Sequence, residues 1–181
     1  NFADPELGFR SRLDEKSFLK YFLTEELASN PDAFWSCYMT KERNEDLFRV
    51  GPVWDFDIAF DNDYRTYPLN NKTEFVCFDG GSVAGSMGDF VRQVILRDSQ
   101  TMPELRKIWD KARHNGIDAV SLCAWIDSIA NEIDRAQTLT FMRWNILNSK
   151  EHMNPVARGS FAAEVAYLKE FVATVSKKRL F

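Results

Sequence analysis

Residues 51–63 read Gly-Pro-Val-Trp-Asp-Phe-Asp-Ile-Ala-Phe-Asp-Asn-Asp, and this run constrains the chain more than any other. Four aspartates, Asp55, Asp57, Asp61 and Asp63, fall within nine residues, yet Val53, Trp54, Phe56, Ile58 and Phe60 stand among them. A solvated acidic face would not carry such bulk between its charges. A carboxylate beside large apolar groups has to be hydrogen-bonded, paired or bound to a cation, because bare burial is costly. Read as an extended segment, the run puts Asp55 and Asp57 on one side, where they repel unless a positive charge lies between them. Mg²⁺ suits such a pair, since it takes oxygen ligands and usually keeps several waters. Two structural alternatives stand beside it: Asp55 capping a following helix, and Asp57 pairing with an arginine. An EF-hand does not fit, because counting from Asp55 the sixth position is Phe60 instead of Gly and the twelfth is Thr66 instead of Glu.

The surrounding pattern predicts a domain that is mainly α with a small β-hairpin. Asp14 is placed to cap a helix whose apolar face is Phe18, Phe22, Leu23 and Leu27. Ser29-Asn30-Pro31-Asp32 ends it, with Pro31 disfavouring helical geometry at Asn30. Residues 34–39 are open to either a helical or an extended reading. Residues 41–46 are polar and read as a hairpin loop, followed by two short strands, 47–53 and 53–58, broken by Gly51-Pro52. Residues 61–88 hold Asn70-Asn71, Gly80-Gly81 and Gly85 with little periodicity, which predicts a long functional or mobile loop. Asn71-Lys72-Thr73 fits the glycosylation triplet, a weak signal by itself. Helices are expected over 90–96, from about Pro103 to His114, over about 117–139 with Leu122, Trp125, Ile126, Ile129 and Ile133 inward, and after Ser160 with Phe161, Val165, Leu168, Phe171 and Val175 buried. Residues 143–147 form a short apolar element between the last two, and Lys177-Lys178-Arg179 suit the negative end of the final helix.

At 181 residues the chain fits one domain, and 15 Phe with 5 Trp and 5 Tyr supply ample core volume. The formal charge of −4 argues against a nucleic-acid partner. No apolar stretch approaches the length of a membrane span. The opening Asn1-Phe2-Ala3-Asp4 lacks an initiator Met and a leader pattern, so the chain is expected to begin inside a longer gene product. Cys37, Cys77 and Cys123 have no paired spacing, and His114 and His152 stand far apart, which leaves a zinc site or a His-centred triad poorly supported.

Taken together, these segments resemble a known family. The run from Gly51 to Asn62 is similar to the Gly-Pro-Val-Trp-Asp-x-Asp-x-Ala-Phe-Gly-Asn signature of CotH-type kinases, the spore-coat protein kinase family. Residues 14–32, with Ser17 to Leu27 and then Asn30-x-Asp32, resemble that family's helix and Asn-x-Asp turn. Residues 90–109, Trp144 to Leu147 and 161–169 resemble its later helices. The resemblance implies a divergent protein-kinase fold, transfer of phosphate from ATP to Ser or Thr of a protein substrate, and use of Mg²⁺. By it, Asp32 is the catalytic-loop aspartate on the acceptor hydroxyl, Asp55 binds the metal in the DFG role, and Asp57, in the same motif, is expected to bind a second metal or to support the first. Asn30, Ser36 and Trp54 are expected around the cofactor.

Three departures matter. The family's Phe-Gly-Asn is Phe60-Asp61-Asn62 here. The Asn that kinases place about five residues after the catalytic aspartate is replaced by Ser36 and Cys37. No Gly-rich phosphate loop or strand lysine precedes Asp32, and Lys16 and Lys20 fall on the first helix, so residues 1–181 are expected to be the C-terminal lobe alone, with the N-terminal lobe of the parent as partner. A non-catalytic kinase-like surface or assembly module is the alternative. A glycosidase fits less well, since Asp55 and Asp57 are too close in the chain for a separated acid and base. The resemblance also points to an exported or cell-surface protein, or a spore-coat protein in a spore former.

Overall fold

The computed structural model describes residues 2–4, 6–68, 75, 88–92 and 94–176. Helix α1, Glu15–Ala28, organises the first core. Its N-cap Asp14 accepts a hydrogen bond from the Ser17 amide at 3.0 Å, as the cap preference of Asp requires. Phe18, Leu19, Phe22 and Leu23 are buried, and Phe9, Leu13, Phe34, Val91, Ile95, Leu105 and Trp109 close around them. Strands β1, Met39–Thr40, and β2, Arg49–Val50, form an antiparallel hairpin with Met39 opposite Val50. The polar loop between them lies where the composition placed it. Arg10 fastens this core to its neighbours, binding Glu15 at 2.8 Å and Asp98 at 2.6 Å. The guanidinium holds the Asp98 carboxyl down at about 2.

A helical turn at 88–92 and a 3₁₀ turn at Ile95–Arg97 replace the single helix expected over 90–96. Helix α2, Thr101–His114, ends at Asn115, and Gly116 follows at φ 95°, the left-handed geometry that favours glycine. Helix α3, Ala119–Glu132, is capped by Asp118, and helix α4, Asp134–Arg143, follows directly, so the single helix expected over 117–139 is two helices meeting at Ile133. Helix α5, Phe161–Val175, is capped by Ser160 and packs along α3.

A second, smaller core forms there. Phe171, Val172 and Val175 are buried against Leu122, Ile126, Leu168, Leu27 and Phe60. The inward face predicted for α3 is only half right. Leu122 and Ile126 face α5, but Trp125 is 72% exposed, and Ile129 and Ile133 are also exposed. The reason is geometric: α3 is apolar on two faces, and α5 covers one. Likewise Phe161, Val165 and Leu168 are half-buried, and residues 144–147 are irregular with Trp144 and Ile146 exposed. Asn71-Lys72-Thr73, Cys77, Gly80-Gly81, Gly85 and Lys177-Lys178-Arg179 lie outside the described residues. Among the described residues, no helix is long and apolar enough to cross a membrane.

Candidate functional site

The aspartate run departs most from its sequence reading. Strand β2 stops at Val50, and residues 51–56 form no strand. Asp55 has φ 60°, so the alternation that would place Asp55 and Asp57 on one side is broken at its first member. Pro52 has no N–H to extend a ladder, and the Gly51 N–H instead donates to the Tyr38 carbonyl at 3.0 Å. Neither structural alternative holds either. Among the described residues, Asp55 caps no helix, and the arginine-paired aspartate of the run is Asp63, not Asp57.

The four carboxylates divide into two pairs. Asp63 is fully buried. It accepts from the Arg65 amide at 2.7 Å and grips the Arg65 guanidinium through both oxygens. Asp61, 1% exposed, accepts from the Tyr167 hydroxyl at 2.6 Å. Asp55 and Asp57 are exposed, and among the described residues no hydrogen bond or ion pair engages either side chain. The Asp57 carbonyl is held by the Asn62 amide at 2.8 Å, which pins the loop without consuming the carboxylate.

Asp61 explains one departure from the family signature. It stands where the signature has Gly, and its φ is 66°. That left-handed backbone, which glycine adopts without cost, is filled here by a residue type that tolerates it better than most. Asp55 and Phe60 are also left-handed, at φ 60° and 57°. Such conformations in non-glycine residues cluster at functional sites.

The Asp32 turn forms at the end of α1, where Ser29 enters the left-handed region. The Asn30 side-chain oxygen accepts from the Asp32 amide at 3.0 Å, and its NH₂ donates to Glu25 at 2.9 Å. Both ends of the Asn30 amide are thus committed, and the residue is buried. Asn30 shapes the turn that carries Asp32 instead of facing solvent. The half-buried Asp32 carboxylate makes no hydrogen bond or ion pair among the described residues.

Ser36 joins the two segments. Its amide donates to the Asp32 carbonyl at 3.3 Å, and its carbonyl accepts from the Trp54 indole N–H at 2.8 Å. Trp54 also packs on Tyr38, ring centroids 5.1 Å apart. The Phe60 amide donates to the Ala28 carbonyl at 2.7 Å, which seats the far end of the run on the C-terminus of α1. Asp32, Ser36, Trp54 and Asp55 therefore share one corner of the molecule. A cavity of about 410 Å³ opens beside Asp57, lined among others by Phe56, Phe60, Asn62, Arg158 and Tyr167. Of the predicted site residues only Asp57 lines it.

Among the described residues no three His, Cys, Asp or Glu side chains converge as a metal cage. Mg²⁺ does not need one, because one or two carboxylates plus substrate phosphates complete its shell. Exposed, unspent carboxylates at Asp55 and Asp57 are hard oxygen donors and fit that requirement.

Sequence reasoning missed the residues that hold this corner. Arg65 is locked by Asp63, and its guanidinium is pushed up chiefly by that hydrogen bond, with Asp32 contributing to its field. Glu25 and Tyr21 stand behind the Asp32 turn. A signal for Glu25 was present: it falls in register with the buried Phe18 and Phe22 on α1.

The family model described as CotH kinase protein matches residues 1–177. The chain belongs to the CotH kinase family. This accounts for a mostly helical, kinase-like fold with a two-stranded hairpin and for the run at 51–62. No curated protein and no solved structure gives a significant match to this CotH-family chain.

Proposed function

We propose that this CotH-family chain carries the aspartates for ATP- and Mg²⁺-dependent transfer of phosphate to Ser or Thr of a protein substrate. The observation that supports this reading is the corner itself: Ser36 hydrogen-bonds both the Asp32 turn and Trp54, and the carboxylates of Asp32 and Asp55 are unspent. Phosphoryl transfer needs in-line positioning and charge neutralisation more than covalent help. In this reading Asp32 orients the acceptor hydroxyl and takes its proton. The hydroxyl oxygen bonds to the γ-phosphorus as the bond to the departing ADP breaks. Asp55, with Asp57, would hold Mg²⁺, which when bound neutralises phosphate charge. Trp54 and Ser36 border the nucleotide, and Asn30 acts through the turn.

We assign residues 1–181 to the C-terminal lobe of the kinase-like domain. Gly8 is the one glycine before Gly51, and no strand lies ahead of Asp32 among the described residues, so a Gly-rich clamp is not found in this part of the fold. In that reading the N-terminal lobe is the partner that supplies the nucleotide clamp, and the 181 residues alone bind ATP weakly, which calorimetry checks. An exported or cell-surface location, or the spore coat in a spore former, goes with the same reading.

A non-catalytic surface or assembly module is the second reading. It is favoured by Cys37 standing five residues after Asp32, where kinases place an Asn, and by the commitment of the Asn30 amide to Glu25 and to the Asp32 turn. Assay of the full-length protein with Mg²⁺, labelled ATP and a degenerate Ser/Thr peptide mixture separates the two. The kinase reading expects labelled phosphoserine or phosphothreonine that disappears in Asp32→Ala and Asp55→Ala. Transfer that survives both substitutions removes these residues from the reaction.

A further inference from the structure

Glu25 is 2% exposed, on the last turn of α1, and the reaction proposed above does not use it. A buried carboxyl needs a partner, and that of Glu25 leads to Asp32. Glu25 accepts from the Asn30 NH₂ at 2.9 Å, and the other end of that amide accepts the Asp32 N–H at 3.0 Å. Separately, the Tyr21 hydroxyl, one turn earlier on α1, donates to the carbonyl of Ala33 at 2.5 Å. The backbone is therefore held at the amide of Asp32 through Asn30 and Glu25, and at the carbonyl of the next residue by Tyr21.

We propose that Glu25 is the positioning residue for Asp32, acting through Asn30 as a clamp on the turn. The inference rests on the kinase reading for its catalytic consequence, but the clamp is a property of the chain itself. The Tyr21 hydroxyl has one proton, and it is committed to Ala33. The Glu25 carboxyl oxygen accepts from the Asn30 NH₂ and makes no other side-chain hydrogen bond among the described residues. The other titratable groups facing Glu25 are Glu26 on α1, Asp32 on the turn, and Cys37 beyond it.

A carboxylate held in a fixed direction gains rate through orientation, and misplacement by about 1 Å costs roughly 100-fold. In the full-length protein, Glu25→Ala is expected to lower kcat by about 10- to 100-fold with the KM for ATP unchanged. Glu25→Gln, which keeps a carbonyl for Asn30, is expected to restore most of it. Hydrogen exchange reads the clamp without any activity: amides of residues 32–36 exchange at least about tenfold faster in Glu25→Ala, while those in the middle of α1 do not change. Asn30→Ala removes the same link from its other end and gives a change of the same kind, which keeps the test open if Glu25→Ala does not fold. Unchanged exchange over 32–36 in the folded variants overturns the clamp. Transfer abolished by Asp32→Ala but with wild-type kcat in Glu25→Ala overturns the positioning role alone. Transfer that survives Asp32→Ala overturns the kinase reading and, with it, the catalytic consequence, while the exchange data still decide the clamp.

Discussion

The first half of the aspartate run and its second half carry two aspartates each, and the two pairs have opposite fates. Asp55 and Asp57 are exposed and unengaged, in a stretch pinned by its backbone and by Trp54. Asp61 and Asp63 are buried and bound to Tyr167 and Arg65. The requirement that a carboxylate among bulky residues find a partner is met in the second half by protein groups. In the first half it is met by water, which leaves the charge available for a cation. Clustering of acidic residues in a sequence thus does not by itself mark a metal site. Burial and partner decide which carboxylates remain chemically idle and which are structural.

Substitution is the most direct way to break this division. Asp55→Ala is expected to reduce phosphate transfer by about 10³-fold or more, since it removes charge stabilisation at the phosphates. The melting temperature should stay within about 2 °C, because an exposed side chain without partners is lost. Asp63→Ala should do the reverse. It leaves the Arg65 guanidinium and amide without their acceptor and is expected to cost about 3 kcal/mol, read as a drop of several degrees in the melt. A large loss of stability in Asp55→Ala, or a neutral Asp63→Ala, would erase the distinction between the halves.

Much of the fold was legible before any coordinates. Asp14 and Ser160 cap helices, and a turn falls at Asn30-Pro31, because these signals depend on neighbours in the chain. The second strand was misread because Val, Trp, Phe and Ile in sequence look extended, whereas Asp55, Phe60 and Asp61 take left-handed backbone that only the packing of Phe60 between α1 and α5 makes tolerable. Trp125, Ile129 and Ile133 were read as core because periodicity reports that a face is apolar, not which face is covered. Within the candidate site, Asp32, Trp54 and Asp55 were named from the motif, and Ser36 from the place where the sequence departs from it. Glu25, Tyr21, Arg65 and Tyr167 were not, since their roles arise from contacts between segments that no local pattern encodes.

Glu25 sharpens the comparison from another direction, as a buried carboxyl whose state changes with pH. Burial pushes it up to about 7, with Glu26 and Asp32 adding to the shift while the bond from Asn30 opposes it. The folded state therefore holds its proton more tightly than the unfolded chain does. The corresponding stability is fully present below the ordinary value of 4.5 and is lost as pH rises towards about 7. Glu25→Gln has no proton to lose. Melts at pH 5 and pH 8 should show a wild-type decline on the order of 2 kcal/mol that the Gln variant lacks. A parallel decline in both would place the pH response elsewhere.

Tyr167→Phe probes the structural half most finely, because the substitution changes one atom. The Phe ring keeps the volume and the contact with Arg158, whose guanidinium lies 3.5 Å from the Tyr167 ring centre. What disappears is the hydroxyl donor to Asp61 at 2.6 Å. A hydrogen bond to a charged group is worth about 1.5–3 kcal/mol, and the remaining contacts of Asp61 soften the loss, so about 1–2 kcal/mol of destabilisation is expected. Burial, together with the Asp61 carboxylate, holds the Tyr167 phenol well above its ordinary range. Its proton is therefore present throughout the neutral region, and the cost should be equal at pH 6 and pH 8, unlike that of Glu25. Phosphate transfer should change little, because Asp61 keeps its left-handed backbone and the Asp55 segment is anchored separately through Trp54 and Ser36. A large fall in transfer with a small fall in stability would show instead that the two halves of the run act as one unit, with Tyr167 and Asp61 setting the position of Asp55.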